Sequence, residues 1–432
     1  MKKSRLAILS LTLIIAFASL YIWWRQEERI PTDNPQISVE ELEKPEKPEE
    51  IREPRVYNPP ETIEIQISGV GDIMVHSPQI PAQFNPITGN YDFHNNFQYV
   101  APYLREADLA LGNLETTFRG PEVEYAGYPA FNTPDALADA LKSAGFDGLA
   151  TANNHTYDTG EKGIIRTVEV LKERNLLTFG TRRTADEEGF AIIDIKGIKV
   201  GLTAYTYETP MVGGRPAING ILLSSEAEAL IDTFSYERLQ EDLPLMKERI
   251  EILKERGAEI IVFYIHWGHE YHQRPSHYQR EIAKELANYG VDILFGSHPH
   301  VIQPIEIIKT QDGEHETVVV YSMGNFISNQ RLETIGNPRT EDGIIVNVTL
   351  SKNITTQDIR LKELTYTPTW VHKYYSKGKP VYEILPLPEV IIGANDYALS
   401  QEELNRATNS QRATRDLIES EIFIKIANII NS

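Results

Sequence analysis

The stretch GSHPH, residues 296–300, sets two histidines two positions apart in a 432-residue chain that has only 11 histidines and no cysteine. In an extended segment residues i and i+2 point the same way, so His298 and His300 can face one cluster, with Pro299 stiffening the loop between them. Other polar residues recur in comparable places. Asp72 follows the strand-like IEIQISGVG, Asn113 and Glu115 follow ADLALG, and Asn153, Asn154 and His155 follow FDGLATA. His266 and His269 follow IIVFYI, and Asn325 follows VVVYSMG. Carboxylate, amide oxygen and imidazole without thiolate suit Mn, Fe or Zn rather than a cysteine-type structural zinc. Two such ions about 3.5–4 Å apart can clamp the attacking and leaving oxygens of a displacement. Asp72, Glu115, Asn154, His266, His298 and His300 are the candidate metal ligands.

Each of these taken alone has a plainer reading. Asp72 could be a turn residue, GNLE a turn with a helix cap, NNH an Asx turn, and His266 beside Trp267 a core histidine. What outweighs those readings is their common position at the carboxyl ends of strands, where open α/β sheets collect functional groups. His76 and His269 are candidates for a supporting role. His94, His272, His277, His315 and His372 lack the placement and read as surface or structural.

The elements that must carry these residues alternate. ETIEIQISGV, ADLALGNLE, FDGLATA, IKVGLTAYTY, AEIIVFYIHWG and VDILF read as strands, and PDALADALKSAG, GIIRTVEVLKERN, LPLMKERIEILKERG and REIAKELANYG as helices. Near-continuous apolar strands with helices between them predict an α/β fold with the sheet covered on both faces. The pattern fades near residue 351, after which extra strands, a Pro-rich stretch and C-terminal helices are expected.

Composition narrows the functions. Hydrophobic residues make up 41% of the chain, enough for a large core. The formal net charge of −20 excludes an ordinary nucleic-acid binder, which must neutralise phosphates with Lys and Arg. Residues 6–24, LAILSLTLIIAFASLYIWW, carry no charge and follow Lys2, Lys3 and Arg5. That run is long enough for the ~30 Å hydrocarbon core, and Trp23 and Trp24 fit an interfacial belt. Residues 1–25 therefore read as a single-pass anchor with the rest of the chain on the extracellular face. A cleaved signal peptide, with Ala16-Phe17-Ala18 as its site, is the competing reading. Residues 26–60, rich in Glu, Lys and Pro, read as a solvated linker. A folded domain is expected over 61–350 and a C-terminal extension over 351–432.

Six stretches taken in order, GDIMVH, GNLETTF, TANNHTYDTG, HWGHEY, GSHPHVIQPIE and YSMGNFISNQ, resemble the motif set of the CapA family of poly-γ-glutamate capsule biosynthesis proteins. The domain of that family is similar to calcineurin-like metallophosphoesterases. The resemblance covers roughly residues 63–340. It implies a four-layer α/β/β/α sandwich, which the alternation above does not distinguish from a single doubly wound sheet. It also implies that His298 and His300 bind two metals, that His266, Asp72 and Asn154 are ligands, and that Glu115 bridges. His155 becomes the acid at the leaving oxygen, and Asn153 and Asn325 become substrate-binding residues. One departure stands out: the phosphoesterase Asp-x-His is missing, and the nearest histidine to Asp72 is His76, four residues on. The implied function is capsule or poly-γ-glutamate synthesis or export at the cell membrane, with metal-dependent hydrolysis of a phosphoester or amide as the reaction class. The alternative is a non-catalytic accessory subunit that binds nascent anionic polymer or a membrane partner of its synthase.

Overall fold

The computed structural model describes residues 61–310, 313–393 and 396–430, which cluster as one unit. The expected anchor and linker lie outside them. Among the described residues no helix is long and apolar enough to cross a membrane.

The chain first lays down β1 (Thr62–Ile73), β2 (Leu109–Leu114), β3 (Gly148–Ala150) and β4 (Leu177–Phe179), paired parallel in that order. Helices α1 (Ala136–Ala144) and α2 (Gly160–Glu173) make the crossovers. Gly145 ends α1 in the left-handed region at φ +114°, where only glycine sits without strain. A second sheet follows: β5 (Ala191–Ile195), β6 (Ile198–Tyr207), β7 (Ile260–His266), β8 (Ile293–Ser297), β9 (Ile305–Lys309) and β10 (Glu316–Val320). Its order, starting from the short strand Thr233–Phe234, is β6, β7, β8, β10, β9, with β5 also paired to β6. Helices α3 (Leu239–Glu255) and α4 (His277–Asn288) connect its parallel strands, and α4 begins in a capping box of Ser276 and Gln279.

The chain then returns to the first sheet. β11 (Asn325–Ile327) pairs parallel with the end of β1, and β12 (Asp342–Asn353) pairs antiparallel with the rest of it, both on the side away from β2. β13 (Ile359–Ser376) and β14 (Lys379–Pro386) extend the same edge, and α5 (Gln401–Ile430) closes the described chain. The segment beyond residue 350 is thus continuous with the first sheet, and the expected boundary falls inside β12.

Why two sheets form is visible in the side-chain alternation. In β7, Ile260, Val262 and Tyr264 face Ile65, Ile67, Leu109 and Leu111 of the first sheet, in one shared cluster. Ile261, Phe263 and Ile265 point the other way and pack on Leu243, Met246 and Ile250 of α3 and Ile282 and Leu286 of α4. In the first sheet Val70, Ile73, Ala110 and Leu114 pack outward on Leu137 and Leu141 of α1. Both faces of each sheet are therefore apolar, which is why the strands read as unbroken hydrophobic runs. Each such side chain buried contributes about 1.5–3 kcal/mol, so pairing the sheets face to face is strongly favoured over exposing either one.

Candidate metal centre

The polar rim lies where the two sheets end together. In the first sheet the register shifts between Val70 and Asp72, so that Asp72 stands beside Asn113 of β2 and Asn325 of β11. A bulge of this kind re-aims a side chain. It also explains the glycine before the aspartate: a Cβ on Gly71 would run into the carbonyl oxygen of Gly324. In the second sheet the parallel register sets His266 beside Ser297. Gly296 is likewise pressed against the Tyr321 carbonyl, leaving no room for a Cβ.

Four of the six candidate ligands meet in a close, buried set. Glu115 Oε1 lies 3.6 Å from His266 Nε2 and 3.8 Å from His300 Nε2. His300 Nδ1 is 2.9 Å from Asp72 Oδ2. The other two adjoin it. His266 Nε2 is 2.9 Å from Asn154 Oδ1, and its Nδ1 is 2.9 Å from the Ser297 hydroxyl. His298 packs on the His266 ring at 4.8 Å, and its Nε2 is 3.2 Å from the Tyr207 hydroxyl. Glu115, His266 and His298 offer ligand atoms all within 4.8 Å of one another, as do Asp72, Glu115 and His300.

The electrostatics match a site built for a cation. Burial, and then the Asp72 charge, pushes the Glu115 carboxyl well above its usual range. Burial, and then the neighbouring histidines, holds His266 and His298 well below theirs. A carboxylate that resists ionising next to imidazoles that resist protonation is stabilised by a bound metal ion, which supplies the missing positive charge. Glu115 Oε1 and His298 Nδ1 are buried without a hydrogen-bond partner. Orphaned buried atoms of this kind are costly unless something occupies them. The donor set fits a divalent metal on these observations.

His155 sits beside the centre at the edge of a cavity of about 260 Å³. Its Nδ1 is 2.8 Å from Asp158 Oδ2, which also accepts from the Phe131 backbone N–H, and its ring meets Phe131 edge-on at 4.6 Å. Asp158 therefore holds the imidazole with its other nitrogen free. His76 and His300 line the same cavity.

Two expectations change in detail. The GSHPH pair is not extended: His298 and His300 adopt φ values of +96° and +56°. Left-handed backbone costs a non-glycine residue about 1–3 kcal/mol and is concentrated at functional sites. The two rings converge through these kinks rather than through strand periodicity. Asn325 belongs not to the strand of VVVYS but to β11 in the opposite sheet. Its Oδ1 lies 3.2 Å from His300 Nδ1, and its amide donates to Gln330 and to the Thr340 carbonyl. Asn153 donates to the Leu114 carbonyl and accepts from the His155 N–H. Neither asparagine lines the cavity, but each hydrogen-bonds a residue that does, Asn325 to Gln330 and Asn153 to His155. His269 meets His272 edge-on, apart from the donor sets.

Sequence reasoning assigned no role to three contributors. Asn113 donates to both Asp72 and Glu115 and so ties the two carboxylates to one amide. Tyr207 covers His298 from β6. Glu270, with His298 and His300, offers a third group of ligand atoms within 4.8 Å. The signal for Glu270 was present in HWGHEY, a carboxylate four residues past His266.

A profile described as bacterial capsule synthesis protein PGA_cap matches residues 66–330, more than half of the chain. The chain belongs to this PGA_cap family. Among curated relatives it is 27% identical to the capsule biosynthesis protein CapA of Bacillus anthracis over 298 residues, 68% of this chain and 66% of that protein. It is 28% identical to the PGA biosynthesis protein CapA of Bacillus subtilis over 293 residues, 67% of this chain and 68% of that one. The chain thus spans just under two thirds of the anthracis relative. A solved structure described as a novel phosphatase from Mycoplasma pneumoniae aligns at TM-score 0.39 and 14% identity, over 71% of this chain and 95% of that one. The PGA_cap match ends at residue 330, so it contains Asp72, Glu115, the NNH stretch, His266, the GSHPH pair and Asn325. The edge strands β13 and β14 and helix α5 lie beyond it.

Proposed function

We propose that this chain is a membrane-anchored, extracytoplasmic protein of capsule or poly-γ-glutamate synthesis or export, whose metallophosphoesterase-like α/β/β/α domain is a metal-dependent hydrolase with two divalent ions, Mn, Fe or Zn. One observation carries the hydrolytic reading: a buried Glu115–His266–His298–His300 cluster with orphaned donor atoms opens onto a cavity whose edge holds the Asp158-oriented His155. The capsule context rests on the family, and the anchor on residues 6–24.

Bound divalent ions supply a polarised substrate oxygen and a water acidic enough to attack near neutral pH. Glu115, Asp72, Asn154 and the three histidines hold them. Asn113 donates to one oxygen of Asp72 and one of Glu115, which leaves Glu115 Oε1 available as a donor. His155 passes a proton from its free nitrogen to the leaving oxygen, while Asp158 stabilises the imidazolium at Nδ1. Phe131 packs on the His155 ring and keeps water from that face. The scissile bond is a phosphoester or an amide of an envelope polymer.

The test is metal content by mass spectrometry on the full chain, purified in detergent, together with turnover of a generic phosphodiester. Bound metal with turnover reduced about 10²–10⁴-fold in His155→Ala, at unchanged metal content, supports the hydrolase. Bound metal with no turnover in either protein favours the accessory reading, in which a held cation lets an acidic chain grip a carboxylate-rich polymer or a membrane partner of its synthase. The missing Asp-x-His histidine is the observation on that side.

A further inference from the structure

The loop after β7 is pinned to the GSHPH loop at both of its ends. The Trp267 N–H donates to the Ser297 carbonyl at 3.2 Å, and the Tyr271 N–H donates to the Pro299 carbonyl at 2.7 Å. Trp267 is fully buried, and its indole N–H donates to the Tyr321 carbonyl. Tyr271 takes φ +65°, a left-handed conformation that a tyrosine adopts only under constraint. Between the pins stands Glu270, which lines the same cavity as His155 and His300.

His300 has one nitrogen to offer. Its Nδ1 is engaged by Asp72 and Asn325, so Nε2 is the free donor. That atom lies 3.8 Å from Glu115 Oε1 and 4.0 Å from Glu270 Oε1. Both separations are too long for hydrogen bonds. Ligands about 2.0–2.2 Å from a shared ion stand roughly 3–4 Å apart, which is the spacing seen. The second indication is independent of Glu270: Glu115 Oε1 and His298 Nδ1 are buried and unpartnered.

From this geometry we infer that Glu270 is a metal ligand, closing from the cavity side the position held by His298 and His300. It takes over from the loop after β7 the donor that phosphoesterases supply from the first strand as the histidine of Asp-x-His. The inference rests on the metal-centre reading above. It carries a consequence for metal choice. Replacing an imidazole by a carboxylate weights this position toward oxygen donors, which suit Mn better than Zn. It also carries one for substrate entry: with Glu270 bound to an ion, the mouth of the cavity no longer presents an uncompensated carboxylate to an anionic substrate.

The test uses the full chain loaded with Mn²⁺ or Zn²⁺, with stoichiometry read by mass spectrometry and affinity by chelator competition. Glu270 is half-exposed, so Glu270→Gln and Glu270→Ala are expected to fold, which circular dichroism checks. Both variants are expected to keep one ion and to bind the second at least about tenfold more weakly. Glu270→His is expected to restore the second ion and to shift preference toward Zn. Two ions held at unchanged affinity in both Glu270→Gln and Glu270→Ala overturn the inference while leaving the metal centre standing. A wild-type chain that takes up neither metal, like His298→Ala/His300→Ala, overturns the metal centre and the inference with it.

Discussion

The two rims that meet at the centre are built differently. The first sheet brings oxygen: Asp72, Glu115 and Asn154, locked by side-chain to backbone and side-chain to side-chain hydrogen bonds through Asn113 and Asn153. The second sheet brings nitrogen: His266, His298 and His300, held by ring packing against Tyr207 and one another and by left-handed backbone in the GSHPH loop. The oxygen rim alone is not a metal site, because every group of close ligand atoms that includes Asp72 or Glu115 also contains a histidine from the other sheet, whereas His298 and His300 gather a carboxylate from their own side in Glu270. The difference teaches that the site is a property of the sheet-to-sheet interface, and that each half resists collapse by its own means.

The sharpest break removes one rim. His298→Ala/His300→Ala is expected to abolish bound metal while the fold persists, since both residues lie past the end of β8; metal analysis beside circular dichroism reads both. Survival of full metal content in that double variant would mean that the oxygen rim suffices, and the comparison would fail. Next comes the shared seam. Gly296→Ala forces a Cβ against the Tyr321 carbonyl and the Trp267 indole, costing about 1–3 kcal/mol, and the urea midpoint should fall accordingly. The same change displaces the histidines from Glu115, so metal affinity should drop with stability rather than independently of it.

The pH response separates the two rims electrostatically. In the metal-free protein His266 and His298 stay uncharged where unfolded histidines take up protons, below about pH 6.5. His76, lowered to about 3, acts in the same direction. Glu115 opposes them, because it keeps a proton that the unfolded chain gives up above about pH 4.5. Within the centre the unfolded state binds more protons between those limits, three histidines against one carboxyl, while outside it Asp292 and Asp342, raised by burial to about 6 and about 7, act in the opposite direction. The centre's own contribution to stability should therefore fall on acidification from pH 6.5 to 5, each suppressed proton being worth at most about 1.4 kcal/mol per pH unit. Urea midpoints in EDTA at pH 5, 6 and 7 check the sign, and a rise toward pH 5 would contradict it. Metal affinity should increase with pH over the same range, because Glu115 must release its proton to bind. The smallest effect is expected for Tyr207→Phe. It removes one hydrogen bond to His298 and should cost about 0.5–1.5 kcal/mol, with metal content unchanged.

How much of this was legible in the sequence follows from which interactions are local. Strand and helix placement comes from apolar periodicity, so IIVFYIH and VDILF declared themselves. The donor residues were legible because they punctuate those strands, and all six candidate ligands reach the rim or its immediate surroundings. Amino-acid sequence alone therefore determined the α/β alternation, the lack of thiolate ligands, the acidic charge and the donor chemistry. Only tertiary structure decided the rest. Residue order carries no information on which face of a doubly covered strand meets a second sheet, so one sheet and two remained equivalent until Ile65 and Leu111 packed on Val262 and Tyr264. Asn325 moved from one sheet to the other because four residues after β10 suffice to cross the seam. The roles of Asn113 and Glu270 stayed unassigned because they depend on partners far away in the chain, Asp72 for one and His300 for the other. The deciding contacts join residues far apart in the chain, 228 positions between Asp72 and His300, and separations of that kind are closed by packing rather than by local propensity.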